Sequence, residues 1–256
     1  MKQFVNLFRI AYHGSEFHGS QIQPDVLTVE GILREKLIKI GASNPKFASR
    51  TDKGVNAIGN IVTTKSNLRS QILVGKLIEE LDNYPIWITG FSDVNINFNP
   101  RNAKKRLYRY HLFETEIYDS FSKNMQLFVG KFDFKHFAKL YENEVTDTKR
   151  TIKNIEIKLK DDIIICNIVG KSFLWHQIRK MIGAAMDVAQ GRKTHKDITD
   201  ALNGKKIEFS MARPEFLTLI NIEYENINIQ NIKNERIMKY NYELTKNNSL
   251  FWKELH

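Results

Sequence analysis

The chain has 256 residues, 42% hydrophobic and 27% charged, with 39 Lys and Arg against 29 Asp and Glu for a formal net charge of +10. That length holds one large or two modest domains, and the composition excludes a disordered chain or one that needs disulfide or metal staples. Charge of this sign and size favours a polyanionic partner, nucleic acid above all, or belongs to an otherwise ordinary basic enzyme.

The opening MKQFVNLFRIAYHG alternates apolar and polar residues too soon for the apolar region of a signal peptide. No stretch approaches the ~18 uninterrupted apolar residues of a membrane span, so a soluble, cytoplasmic protein is expected. Phe4 to Tyr12 reads as a strand. Thr28 is a candidate N-cap, after which Val29, Ile32, Leu33, Leu37 and Ile40 recur at helical spacing up to Gly41. Phe47-Ala48 and Ile61 to Thr64 read as short strands flanking the loop that contains RTDKGV, Arg50 to Val55. A helix over Ser70 to Asp82 and a strand over Ile86 to Phe91 complete the order β-α-β-β-α-β.

The polar stretch Asn95 to Asn102, with Pro100 inside it, marks the expected boundary, giving domains 1–97 and 98–256. Beyond it, Arg106 to Phe113 is strand-like. Asp133 to Glu142 reads as a helix with Phe134, Phe137, Ala138 and Tyr141 on one side. Ile152 to Leu159 and Ile163 to Val169 read as strands joined by the turn Lys160-Asp161-Asp162. A long helix over Phe173 to Ala189, a short one over Lys196 to Leu202 and a strand over Phe216 to Tyr224 follow. The tail from Asn226 takes no assignment. The predicted fold class is α+β: two ferredoxin-like (split βαβ) halves, each an antiparallel sheet with helices on one face.

Three places carry chemistry. In the helix KSFLWHQIRKMIGAAMDVAQG, Arg179 has Trp175, Ile182, Gly183 and Met186 as neighbours on the apolar face. A guanidinium there must snorkel to water or meet a carboxylate, since a buried unpaired charge costs several kcal/mol. Gly183, one turn on, admits close approach of another segment, and a carboxylate-bearing loop is the expected visitor. The strand RLYRYHLF puts Lys104, Arg106, Tyr108 and Tyr110 on one face and Lys105, Leu107, Arg109 and His111 on the other. Tyrosines interleaved with basic residues suit stacked bases and flanking phosphates, although amphipathic packing gives the same pattern. In the loop RTDKGV, Asp52 stands two residues from Arg50, and Gly54 breaks the backbone. Elsewhere the signals are weak. Cys166 lies in an apolar run and reads as a buried, inert thiol. His13 and His18 lack a third ligand nearby, so no metal site is expected.

RTDKGV, LYRY and FLWHQIRKMIG, in this order and spacing, together resemble the TruA family of tRNA pseudouridine synthases. The opening YHGSEFHGSQIQP and the closing RPEFLTL are similar to that family's first loop and last strand. The resemblance spans Phe4 to Tyr224 and implies that the two halves share one extended antiparallel sheet with a central basic cleft, a tRNA substrate, a homodimer and no cofactor. It implies Asp52 as the catalytic aspartate, Arg50 beside it and the RNA, Tyr108 against the target base, and Arg179 as the partner of Asp52. Lys104, Arg106 and Arg109 are then expected along the RNA. Three positions depart from the family's usual pattern: Ser20 replaces a tryptophan, Asn56 a histidine and Glu215 a glycine.

The implied reaction detaches uracil from C1′, turns it and rejoins it through C5. A carboxylate serves by attacking C1′ or C6, or by assisting loss of the C2′ proton, and the sequence leaves these routes open. Neighbouring arginines favour its ionised form. Tyr108 is a candidate base or relay for the hydrogen left on C5. The expected targets are uridines 38, 39 and 40 of the anticodon arm. Other RNA uridines, or a non-catalytic RNA-binding module of the same fold, are the alternatives.

Overall fold

A computed structural model describes residues 3–140 and 147–233. In chain order the elements are β1 (Phe4–Tyr12), α1 (Val29–Lys39), β2 (Lys46–Phe47), β3 (Asn56–Ser66), α2 (Ser70–Glu80) and β4 (Ile86–Val94). There follow β5 (Lys105–Leu112), α3 (Tyr118–Met125), β6 (Gly130–Asp133), β7 (Lys149–Lys160), β8 (Ile163–Gly170), α4 (Gln177–Ala189), α5 (His195–Leu202), β9 (Leu217–Glu223) and β10 (Gln230–Asn231). The class is α+β with antiparallel sheet, as the sequence predicts.

Packing divides the chain into two compact units. Of the described residues, one comprises 3–50, 57–101 and 226–233; the other comprises 51–56, 102–140 and 147–225. Asp52 thus groups with the later part of the chain, while Arg50 stays with the first unit.

In the first unit, β1 lies between β3 and β4, β2 pairs with β3, and β10 pairs with β4, all antiparallel. The α1 helix begins where Thr28 accepts a hydrogen bond from the Gly31 amide, and it buries Val29, Ile32, Leu33 and Leu37. That is the amphipathic stripe read from the sequence.

In the second unit the strand order is β9-β5-β8-β7-β6, again antiparallel. The β7–β8 hairpin turns through Asp161 and Asp162 at φ 50° and 56°, both left-handed, the geometry a tight two-residue hairpin requires. Along β5, Arg106, Tyr108, Tyr110 and Leu112 point into the core while the alternate residues are partly exposed.

Over the described part of the helix predicted for 133–142, residues 133–140, no α-helix forms. β6 ends at Asp133, whose carboxylate accepts from the Lys135 amide and the Thr148 hydroxyl, and a single 3₁₀ turn spans Lys135–Phe137. Phe134 and Phe137 share one side because that turn has a period near three. They fill an aromatic cluster with Phe128 and Phe209. Tyr141 lies outside the described residues. The helix of this region is instead α3, which buries Phe121 and Met125.

Candidate active site

Asp52 sits on a turn closed by the Val55 amide donating to the Asp52 carbonyl at 3.1 Å. Gly54 adopts φ +82°, and a Cβ there would lie 3.0 Å from Cγ of Pro214. Both conditions favour glycine and bring the loop against the Arg213–Phe216 segment. Asn56 fastens the same contact, its Nδ2 donating to the Glu215 carbonyl at 2.9 Å. Two of the three departures from the family pattern therefore touch each other.

The other side of the site is the turn before α4. The helix starts at Gln177, four residues later than the periodicity predicts. The buried Gln177 side chain accepts from the Leu174 amide at 2.8 Å, and the Gln177 amide donates to the Leu174 carbonyl at 3.1 Å. These bonds close a turn rather than extend the helix. His176 takes φ 64°, a left-handed conformation that costs a non-glycine residue about 1–2 kcal/mol. Trp175 is therefore not on the helix stripe; it is turned toward the RTD loop.

Three side chains meet the carboxylate. Trp175 Nε1 donates to Oδ1 of Asp52 at 2.8 Å, and Arg179 Nη1 donates to Oδ2 at 3.0 Å. His176 Nε2 lies 3.6 Å from Oδ2. Arg179 is only 8% exposed, and its fork is divided: Nε donates to the Ala212 carbonyl at 2.9 Å, while the Ala212 amide donates to the Arg179 carbonyl at 3.1 Å. Removing one member of so buried a pair costs about 3–5 kcal/mol, because the other charge is left uncompensated. The Asp52 side chain keeps 17% of its surface exposed, so the carboxylate is held yet reachable.

Lysines surround this arrangement. Lys139 Nζ stands 4.6 Å from the Trp175 ring centroid, and its amide donates to the Trp175 carbonyl. Lys180 Nζ donates to the Ala138 carbonyl. Burial chiefly holds His176 below its ordinary value; Asp52 pulls the other way, and Arg179, Lys139 and Lys180 add to the lowering. His176 is therefore neutral at neutral pH.

The remaining sequence candidates fall in different places. Tyr108 is buried, its ring edge-on to Phe173 at 5.3 Å. Arg106 is a correction: it is 6% exposed and its guanidinium donates to the Lys171 carbonyl. Sharing the inward face of β5 with Tyr108 removes it from solvent, and burial lowers its pKa. Arg109 is on the opposite face, Nε donating to Asn167 Oδ1 at 2.9 Å. Lys104 is exposed and pairs loosely with Glu225 at 3.4 Å. Arg50 is exposed and belongs to the first unit.

Gly183 does admit a close neighbour, but not a carboxylate: a Cβ there would lie 1.9 Å from the Ser210 carbonyl oxygen. Cys166 is fully buried, and burial raises its thiol pKa. Among the described residues, no three His, Cys, Asp or Glu side chains gather as metal ligands. No described helix is long and apolar enough to cross a membrane.

The carboxylate is thus held by an indole and a guanidinium, with an imidazole close by, on a basic protein. A family model described as tRNA pseudouridine synthase matches residues 125–225, a stretch that carries Arg179 but neither Asp52 nor Tyr108. The tRNA pseudouridine synthase A of Pyrococcus furiosus is 35% identical, across 93% of this chain and 90% of that one. The enzyme of the same name from Pyrococcus abyssi is 37% identical, across 86% and 84%. Among solved structures, a Cbf5-Nop10-Gar1 complex matches with TM-score 0.39 and 11% identity, over 84% of this chain and 49% of that one, a likeness too slight to argue from. The chain belongs to the tRNA pseudouridine synthase A family.

Proposed function

We propose that the protein isomerises uridine to pseudouridine in the anticodon arm of tRNA, at positions 38, 39 and 40, with Asp52 as nucleophile. The observation that carries this reading is the immobilisation of both Asp52 oxygens, one by Trp175 and one by Arg179. A carboxylate facing a polyanion weakens binding unless it does chemistry, and here several side chains are spent on aiming it.

In this reading Asp52 attacks C1′ or C6 of the flipped uridine, or assists loss of the C2′ proton, while the uracil turns. Arg179 and Trp175 hold the carboxylate in place through the step, and neutral His176 adds no charge that would quench it. Tyr108 removes or relays the C5 hydrogen after the new bond forms. Uridine must leave its stack, at a cost of a few kcal/mol. Cationic side chains gripping phosphates offset that, Arg50, Lys104 and Arg109 among them. Two ferredoxin-like halves with a basic cleft, a homodimer and a cytoplasmic location are part of the same proposal. The test is release of tritium from tRNA labelled at uridine C5, followed by mapping of the modified positions. Release with modification confined to positions 38 to 40 supports the reading. No release sinks it, and release from other uridines alone moves the target.

A further inference from the structure

Arg179, Gly183 and Asp187 are four residues apart, so they form one row along α4. The Ser210–Ala212 segment lies along that row. At one end the Ala212 carbonyl accepts from Arg179 Nε, and the Ala212 amide donates back to the Arg179 carbonyl. In the middle, the missing Cβ of Gly183 makes room for the Ser210 carbonyl. At the other end the Ser210 amide donates to Asp187 Oδ2 at 2.7 Å.

Asp187 is itself strongly held. Its side chain is 3% exposed, and Oδ1 accepts from both Nε and Nη2 of Arg192, at 2.8 and 2.7 Å. The Asp187 carbonyl accepts from the Arg192 and Lys193 amides just past the helix end. Burial acts to raise its pKa, but the bonds from Ser210 and Arg192 prevail and keep the carboxyl below the ordinary range. A buried, ionised carboxylate is expensive to retain for packing alone, since an apolar side chain of similar size serves that end as well. What an apolar side chain cannot do is fix the position of a backbone N–H.

We propose that Asp187 is a positioning residue: it anchors Ser210 so that the Ala212 carbonyl, two residues on, sets the angle of the Arg179 guanidinium and with it the aim of Asp52. This rests on Arg179 being the group that holds Asp52 during turnover. Arg179 has two jobs, one arm on Ala212 and one on Asp52, so a shift in the carbonyl turns the fork away from the carboxylate. The bond lengths involved leave little slack, and a misplacement of about 1 Å at a reacting group costs on the order of a hundredfold in rate.

The test uses the full-length protein labelled with ¹⁵N at arginine and reads two quantities below the melting temperature. One is the water exchange of the Arg179 Nε–H; the other is kcat and KM for C5 tritium release from tRNA. Asp187→Asn keeps an acceptor for Ser210 but sets an amide against the Arg192 guanidinium. We expect its Arg179 Nε–H to exchange about tenfold faster, and kcat to fall about tenfold with KM nearly unchanged. Arg192→Gln, at a half-exposed position, should shift both quantities in the same direction by less, and it decides the matter if Asp187→Asn does not fold. A folded variant with unchanged exchange overturns the anchoring. Faster exchange with unchanged kcat overturns its role in the reaction. The unsubstituted protein separates the two readings, because absence of tritium release from it counts against the isomerase assignment and leaves the exchange data to judge the anchor.

Discussion

Asp52 gains its reach from one residue whose backbone is strained and another whose charge is buried. His176, left-handed at the start of α4, turns Trp175 outward, and Arg179 completes the grip. Asp52→Asn is nearly isosteric but is neither a nucleophile nor a base. Its C5 tritium release should fall by at least roughly a thousandfold while tRNA affinity holds or tightens. Substantial release, with deamidation excluded by mass spectrometry, would place the chemistry on another group.

His176 allows a test by pH. Its folded pKa lies below the 6.5 of the free side chain, so folding resists its protonation. The associated stability is therefore present above pH 6.5 and lost as pH falls through the lower, folded value. Asp52, Arg179, Lys139 and Lys180 are the charges that bear on it. Asn tolerates the same backbone, so His176→Asn should show a shallower loss of thermal midpoint than the parent between about pH 6.5 and 5. Parallel curves would mean that the imidazole titrates alike in the folded and the unfolded chain, with no shift on folding.

That Arg179 must snorkel to water or meet a carboxylate was legible in the sequence; that the carboxylate is Asp52 came from the resemblance alone. Its indole and imidazole companions were legible in neither. Trp175 fits the helical stripe by spacing alone, and what removes it is a bond between Gln177 and the Leu174 backbone that periodicity does not encode. Arg106 misled in the opposite sense. The alternation of β5 was right, but it did not say which face is inward.

Among the elements, α1, α2 and β1 could be read almost to their ends, since a cap or a clean period defines each. The stretch after β5 could not. Ile117, Phe121 and Met125 carry helical spacing in a short, polar segment, while Phe134 and Phe137 imitate it with a 3₁₀ turn. The α4 row makes its own prediction. Gly183→Ala would drive a methyl into the Ser210 carbonyl, only 1.9 Å from the new Cβ. Overpacking of that kind costs about 3 kcal/mol, to be read as a lower denaturant midpoint at constant slope. Turnover should fall as well, because the displaced segment carries the Ala212 carbonyl. A variant as stable and active as the parent would show that the row adapts freely.

For the molecule as a whole, a net charge of +10 implies release of counterions from RNA. tRNA affinity should therefore drop steeply with salt, linear in log concentration. Lys104→Ala and Lys139→Ala should each reduce the slope by about 1 without changing which uridine is chosen. Arg106→Ala should instead lower stability, since its guanidinium is buried. A salt-independent affinity would exclude a phosphate-gripping surface.

The second unit is interrupted in sequence. Thr51–Asn56 belongs to it, Ala57–Arg101 belongs to the other unit, and the chain returns only at Asn102. Asp52 and Arg179 are 127 positions apart although they touch. A gene divided near residue 97 would accordingly yield two polypeptides of which neither holds both Asp52 and Arg179, the later one with a buried arginine and no counter-charge. During synthesis the same holds for the nascent chain until its last third has emerged from the ribosome. Asp52, Trp175, His176 and Arg179 all lie in that interrupted unit, so the order of the chain, and not its division into units, is what separates them.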